Sequence, residues 1–93
     1  MNEPKSRDVI VTHPAGLHMR PADMFVKRAG KFDATIEVIK GSERVDGKSL
    51  ISILTLGVQQ GCQITIEATG HDAEEALDSL AELIEHGFHE LAE

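Results

Sequence analysis

The sequence predicts a two-layer α+β domain of order β-α-β-β-α-β-α, a largely antiparallel sheet covered on one face by helices. Three observations lead there. Segments rich in β-branched residues alternate with segments whose apolar residues recur at helical spacing. The second and third strands are separated only by a turn at Gly41, which makes a hairpin rather than a crossover. The 93 residues suffice for one core and leave little for a second. A single domain over 1–93 is expected, ordered from about residue 7 to 88.

"RDVIVTH" (7–13) reads as the first strand, halted by Pro14. Ala22, Phe25, Val26 and Ala29 then fall on one helical face, with Gly30 a C′ stop and Lys27 and Arg28 in the last turn. "ATIEVIK" (34–40) alternates as a strand, and "GSERVDG" (41–47) supplies a turn and a short edge strand. "KSLISILTLG" (48–57) reads as a short helix with Ser49 at its N-cap and Gly57 at its end. "CQITIEAT" (62–69) alternates clearly, with Cys62, Ile64, Ile66 and Ala68 facing inward. "GHDAEEALDSLAELIEHGF" (70–88) is strongly amphipathic. Its buried face runs from Ala73 through Ala76, Leu77, Leu80, Ala81 and Ile84 to Phe88, and Asp72 caps it over Glu75.

Composition excludes several functions. With three Phe and no Trp or Tyr, the core is aliphatic and stacking on bases is nearly unavailable. One cysteine permits neither an internal disulfide nor a thiolate zinc cluster, and Cys62 reads as a buried inert thiol. No apolar run is long enough to cross a membrane, and "MNEPKSRD" lacks the apolar core of a signal peptide, so a cytoplasmic protein is expected. The net charge of −7 is uneven. All nine Lys and Arg lie at or before Lys48, beside seven acids; after it come nine acids and no base. Nucleic acid is disfavoured as a partner, whereas a basic patch on an acidic body suits an acidic protein surface.

The chemistry concentrates in "AGLHMRPAD" (15–23). His18 falls at the N-cap of the first helix, where histidine is a mediocre cap. Pro21 sits in the first turn, where a missing N–H costs little. The free N–H groups of Met19 and Arg20, the positive helix end and the Arg20 guanidinium converge on whatever His18 holds. Together they describe an anion site built around an imidazole nitrogen, which is a good nucleophile near pH 7 and could hold a phosphoryl group; on residue type alone, a surface histidine beside a helix start is the simpler account.

A docking surface is legible beside it. Arg20, Met24, Lys27 and Lys31 form a stripe opposite the core face of the first helix. On the second helix Ile53 and Leu56 point one way, while Leu50, Ile51 and Leu54 point elsewhere. An apolar patch rimmed by bases, Lys48 among them, is a partner footprint. The alternative is that both apolar sets are core and the bases merely solvated.

"GLHMRPAD", "GKSLISILTLGVQQG" and "QITIEATG", at this spacing, resemble the HPr family, the histidine-containing phosphocarriers of the bacterial phosphoenolpyruvate-dependent phosphotransferase system. The resemblance covers roughly residues 8 to 88. It implies an open-faced β-sandwich, a four-stranded antiparallel sheet under three helices. It also implies that His18 takes a phosphoryl group at Nδ1 from phospho-enzyme I and passes it to enzyme IIA domains, with Arg20 steadying the phosphate. Ser49 matches the serine that a dedicated kinase phosphorylates in many members; a plain N-cap explains the residue equally well. The implied partners are enzyme I, IIA domains and, where Ser49 is used, that kinase and a transcriptional regulator. No cofactor, metal, nucleic acid or membrane is implied, and the protein is expected to be a monomer.

Three positions depart from the family. Asp23 places a carboxylate in the first helical turn, where it suits the helix dipole but would repel a phosphate on His18. Ala15 removes a side-chain hydrogen bond that relatives often have, and Met19 is bulky. The last third resembles the nitrogen-related branch, whereas "GKSL" resembles the sugar-transport branch. A regulatory module that binds partners without transferring phosphate is the second reading, and His18 argues against it. A metal site at His86, His89 and Glu90 would rest on H-x-x-H near a frayed end and is not expected. His13 and His71 read as loop residues.

Overall fold

A computed structural model of the protein describes residues 3–88. The chain runs β1 (Lys5–Ile10), α1 (Met19–Ala29), β2 (Thr35–Lys40), β3 (Glu43–Asp46), α2 (Leu50–Thr55), β4 (Gln63–Thr69) and α3 (Ala73–Glu85). The four strands form one antiparallel sheet in the order β1-β4-β2-β3, with β3 at an edge. The expected element order and architecture hold.

Alternation along the strands decides which face is covered. Val9, Ile36, Val38, Ile64, Ile66 and Ala68 are buried and share one core with Ala22, Phe25, Ile53, Leu80 and Ile84 of the helices. The other face carries polar pairs: Arg44 reaches both Glu37 and Glu67, and the Thr65 hydroxyl donates to Asp8 at 2.7 Å. Burying a large apolar side chain is worth about 1.5–3 kcal/mol, so a shift of one residue in β4 would exchange its core for its polar face.

Several local expectations are corrected. β1 begins at Lys5 and ends at Ile10, because β4 extends far enough to pair Lys5 with Ala68. Gly30 ends α1 as the C-cap itself rather than as C′, with φ −66° and its N–H donating to Val26 O at 2.9 Å. Cys62 precedes β4 and is half-buried rather than buried, packed against the rim of the core. α3 stops at Glu85, and Phe88 is buried from outside the helix at φ +57°.

The Asp72 correction is the most informative. Asp72 stands at the N-cap of α3 and its side chain makes no capping bond. Its carboxylate instead accepts the N–H groups of Asp33 and Ala34, each at 2.9 Å, so it ties the start of α3 to the connection before β2. Ser49 behaves as expected: its hydroxyl accepts the Ser52 N–H at 3.3 Å and caps α2.

Candidate functional site

The loop before α1 is shaped from below. Gly16 has φ +64°, and a β-carbon there would lie 2.4 Å from Val58 O and 2.7 Å from Gln59 Cα. Glycine therefore allows both the left-handed turn and the close approach. The Leu17 N–H donates to Val58 O at 3.0 Å, and the buried Leu17 side chain anchors the loop in the core.

His18 follows at the N-cap of α1 with extended backbone (φ −77°, ψ −172°). It is exposed, and its ring makes no capping bond, so the imidazole remains available to a partner. The first helical bond runs from the Ala22 N–H to His18 O at 2.8 Å. The Met19 and Arg20 N–H groups precede it and have no intrahelical acceptor, while Pro21, buried in the same turn, has no N–H to leave unpaired. Arg20 is exposed, and among the described residues no ion pair engages it. An exposed imidazole, a free guanidinium and a helix end thus share one small surface. That surface can hold an oxyanion on the imidazole.

The docking residues divide. Ile51 is 74% exposed and Met19 53% exposed, large values for such side chains. Met24, Leu50 and Leu54 are half-buried and pack against the core from its edge, so they serve both structure and surface. Ile53 and Leu56 are buried, as the helical spacing predicts. Met24, Lys27, Arg28 and Lys31 line a shallow groove on α1. Lys48 is half-buried beside this face, and its ammonium donates to Phe32 O at 2.7 Å, which ties it to the connection between α1 and β2. Asp23 lies beyond the first turn and pairs with Lys27 at 3.0 Å, which mutes its repulsion of an anion on His18. A cavity between β1 and the end of α3 is lined by Asp8, Val9, Ile10, Thr12, Gln63 and Glu85; with two carboxylates and no base, it suits no phosphate.

Two histidines have more structure around them than their sequence neighbourhood announces. His13 Nδ1 accepts the Ala15 N–H at 3.0 Å, and its ring meets Phe88 edge-on at 5.9 Å. His71 Nε2 lies 3.1 Å from Asp33 Oδ2, beside Asp72. Neither contact could be anticipated from local pattern, because Phe88 and Asp33 arrive from distant parts of the chain. Asp33, His71 and Asp72 are also the described residues grouped closely enough to ligate a cation, yet both Asp72 oxygens are already held by backbone N–H groups. Of the H-x-x-H residues, His89 and Glu90 lie outside the described residues.

This latch gives a pH prediction. The hydrogen bond to Asp33, then the charges of Asp72, Asp33 and Glu75, raise His71 above the ordinary imidazole value. Burial pushes the Asp72 carboxyl up, but the Asp33 and Ala34 N–H groups and the His71 charge outweigh it and leave it low. Stability from His71 is fully present below its unfolded value of about 6.5 and is lost as pH rises through the higher folded value. Stability from Asp72 is present above about 3.9 and is lost as pH falls through the lower folded value. The latch is therefore complete between about pH 4 and 6.5. Asp33→Asn is expected to lower the His71 titration midpoint followed by NMR; an unmoved midpoint would refute the pairing.

A family model described as the PTS HPr component phosphorylation site matches residues 5–86. The chain belongs to the HPr family. That family comprises the phosphocarriers of the phosphotransferase system. Among curated relatives, the phosphocarrier protein HPr of Buchnera aphidicola subsp. Acyrthosiphon pisum is 47% identical over 78% of this chain and 86% of its own length. The crystal structure of HPr-C-His from Thermoanaerobacter tengcongensis superposes with a TM-score of 0.89 at 41% identity, covering 91% of this chain and 96% of that one. A structure of an HPr dimer from the same organism has a TM-score of 0.73 at 46% identity, covering 78% of this chain and 84% of that one. The open-faced sheet under three helices is thus the HPr architecture. Among the described residues, no helix is long and apolar enough to cross a membrane.

Proposed function

We propose that this chain is a single-domain phosphoryl carrier in which His18 accepts a phosphoryl group from phospho-enzyme I and delivers it to enzyme IIA domains. The observation that carries this reading is the exposed, uncapped His18 ring at the helix end beside Arg20. In the accepting step the neutral His18 Nδ1 lone pair attacks phosphorus, the Nδ1–P bond forms and the bond to the donor breaks; in delivery the acceptor's lone pair attacks the same phosphorus and the Nδ1–P bond breaks. Arg20 and the N–H groups of Met19 and Arg20 stabilise the phosphate oxygens. The chain performs no turnover of its own, because the group it accepts is the group it gives away. Ile51, Met19 and the half-buried Met24, Leu50 and Leu54 form the apolar centre of the contact, with Lys27 and Lys31 at its rim.

The test is incubation with phosphoenolpyruvate and enzyme I. The expected result is one acid-labile phosphate per chain, located at His18 Nδ1 by NMR and removed on adding a IIA domain. A chain that stays unlabelled would favour the regulatory module. Ser49 adds a control point in this reading. A phosphate there suits the start of α2 electrostatically but sets negative charge beside the docking face. Ser49→Asp is expected to raise the KM for phospho-enzyme I by about ten-fold, as a loss of about 1.4 kcal/mol in docking would. An unchanged KM would leave Ser49 as a cap alone.

A further inference from the structure

In the turn that delivers His18, residues 14–16 carry two backbone donors, because Pro14 has none. Both end on one residue. The Ala15 N–H donates to His13 Nδ1 at 3.0 Å and the Gly16 N–H donates to His13 O at 2.8 Å. The same imidazole packs edge-on against Phe88, with ring planes at 83° and Phe88 fully buried. On the far side, Gly16 and Leu17 rest against Val58 and Gln59. The turn is therefore clamped from both sides, and His13 is one jaw.

We propose that His13 is a positioning residue for His18, fixing the turn that aims the acceptor ring and the adjoining helix N–H groups. This rests on the carrier reading above. Two properties are required at position 13: a flat ring to meet Phe88 and an acceptor that reaches two residues ahead. Asparagine has the acceptor without the ring, and phenylalanine has the ring without the acceptor; imidazole combines them. Accepting at Nδ1 places the ring proton on Nε2, so His13 acts as the neutral Nε2–H tautomer. Ala15 has no polar side-chain atom, and this turn obtains its side-chain bond from upstream instead.

The test compares His13→Phe with His13→Asn. His13→Phe keeps the packing and is expected to retain the wild-type thermal midpoint while lowering the rate of His18 phosphorylation about ten-fold at unchanged KM. His13→Asn is expected to restore most of that rate through its own acceptor, even with a lower midpoint. In unphosphorylated protein, NMR order parameters of residues 14–18 should fall in His13→Phe and recover in His13→Asn. A His13→Phe protein transferring at the wild-type rate would overturn the proposal. So would a rate that tracks the thermal midpoint across both variants, or order parameters unchanged in His13→Phe. Should the wild type accept no phosphoryl group, the carrier reading fails, and the order parameters still decide whether His13 holds the turn.

Discussion

A protein with His18 replaced by alanine is expected to fold like the wild type and accept no phosphoryl group. The ring is exposed and makes no capping bond, so its removal takes nothing from the helix, and the change in stability should lie within about 0.5 kcal/mol. The loss of transfer should be total, because the neighbouring groups are all stabilisers rather than nucleophiles. Arg20 and the helix N–H groups bind oxygen and cannot form an N–P bond. His13 has its Nδ1 occupied by Ala15, and His71 is engaged with Asp33 at the other end of α1. Acid-labile phosphate and the thermal midpoint, measured on one preparation, check both halves. Residual label at the wild-type level would place the acceptor elsewhere.

Gly16→Ala should be the most damaging small substitution in the site. Holding a non-glycine residue in the left-handed region costs about 1–2 kcal/mol. The new β-carbon would also lie 2.4 Å from Val58 O, backbone that has little room to yield, and such overpacking adds about 1–3 kcal/mol. A total of about 2–5 kcal/mol is a large fraction of a small domain's stability. Gly41→Ala is the control. Its φ of +61° carries the same conformational cost, but nothing lies within 4 Å of the added carbon. Denaturant unfolding should therefore show Gly16→Ala losing more than Gly41→Ala, and equal losses would show that the loop does not press on Val58.

Local signals were legible in the sequence where the partner lies within a turn. Ser49 reads as a cap because its acceptor contact is with Ser52, three residues away. The inward sets of β2, β4 and α3 follow from period alone, since burial enforces alternation within each element. His18, Arg20 and Pro21 were legible as a unit because a helix start has its own chemistry. What escaped depends on distance along the chain. Asp72 and Asp33 are 39 positions apart, so no local pattern distinguishes a capping carboxylate from one that ties two loops together. Lys48 reads as a rim charge, and only the fold shows that Phe32 O accepts from its ammonium. Phe88 continues the helical spacing of α3, yet Gly87 and Phe88 both turn left-handed and bury the ring from a non-helical position. His13 was only half readable: its bond to Ala15 is local, but the packing of its ring on Phe88 comes from the far end of the chain.

α2 has six residues and no basic side chain in its last turn. Lys40 of β2 supplies that charge from outside, its ammonium donating to Gly57 O at 3.1 Å and Leu56 O at 3.4 Å. A helix this short has almost no intrinsic persistence in water, so it exists through its buried Ile53 and Leu56, its half-buried Leu50 and Leu54, the Ser49 cap and that strand-borne cation. The docking half built on α2 is therefore set by tertiary contacts rather than by its own helical propensity, so a substitution at the buried Ile53 would reach the recognition face as well as the core.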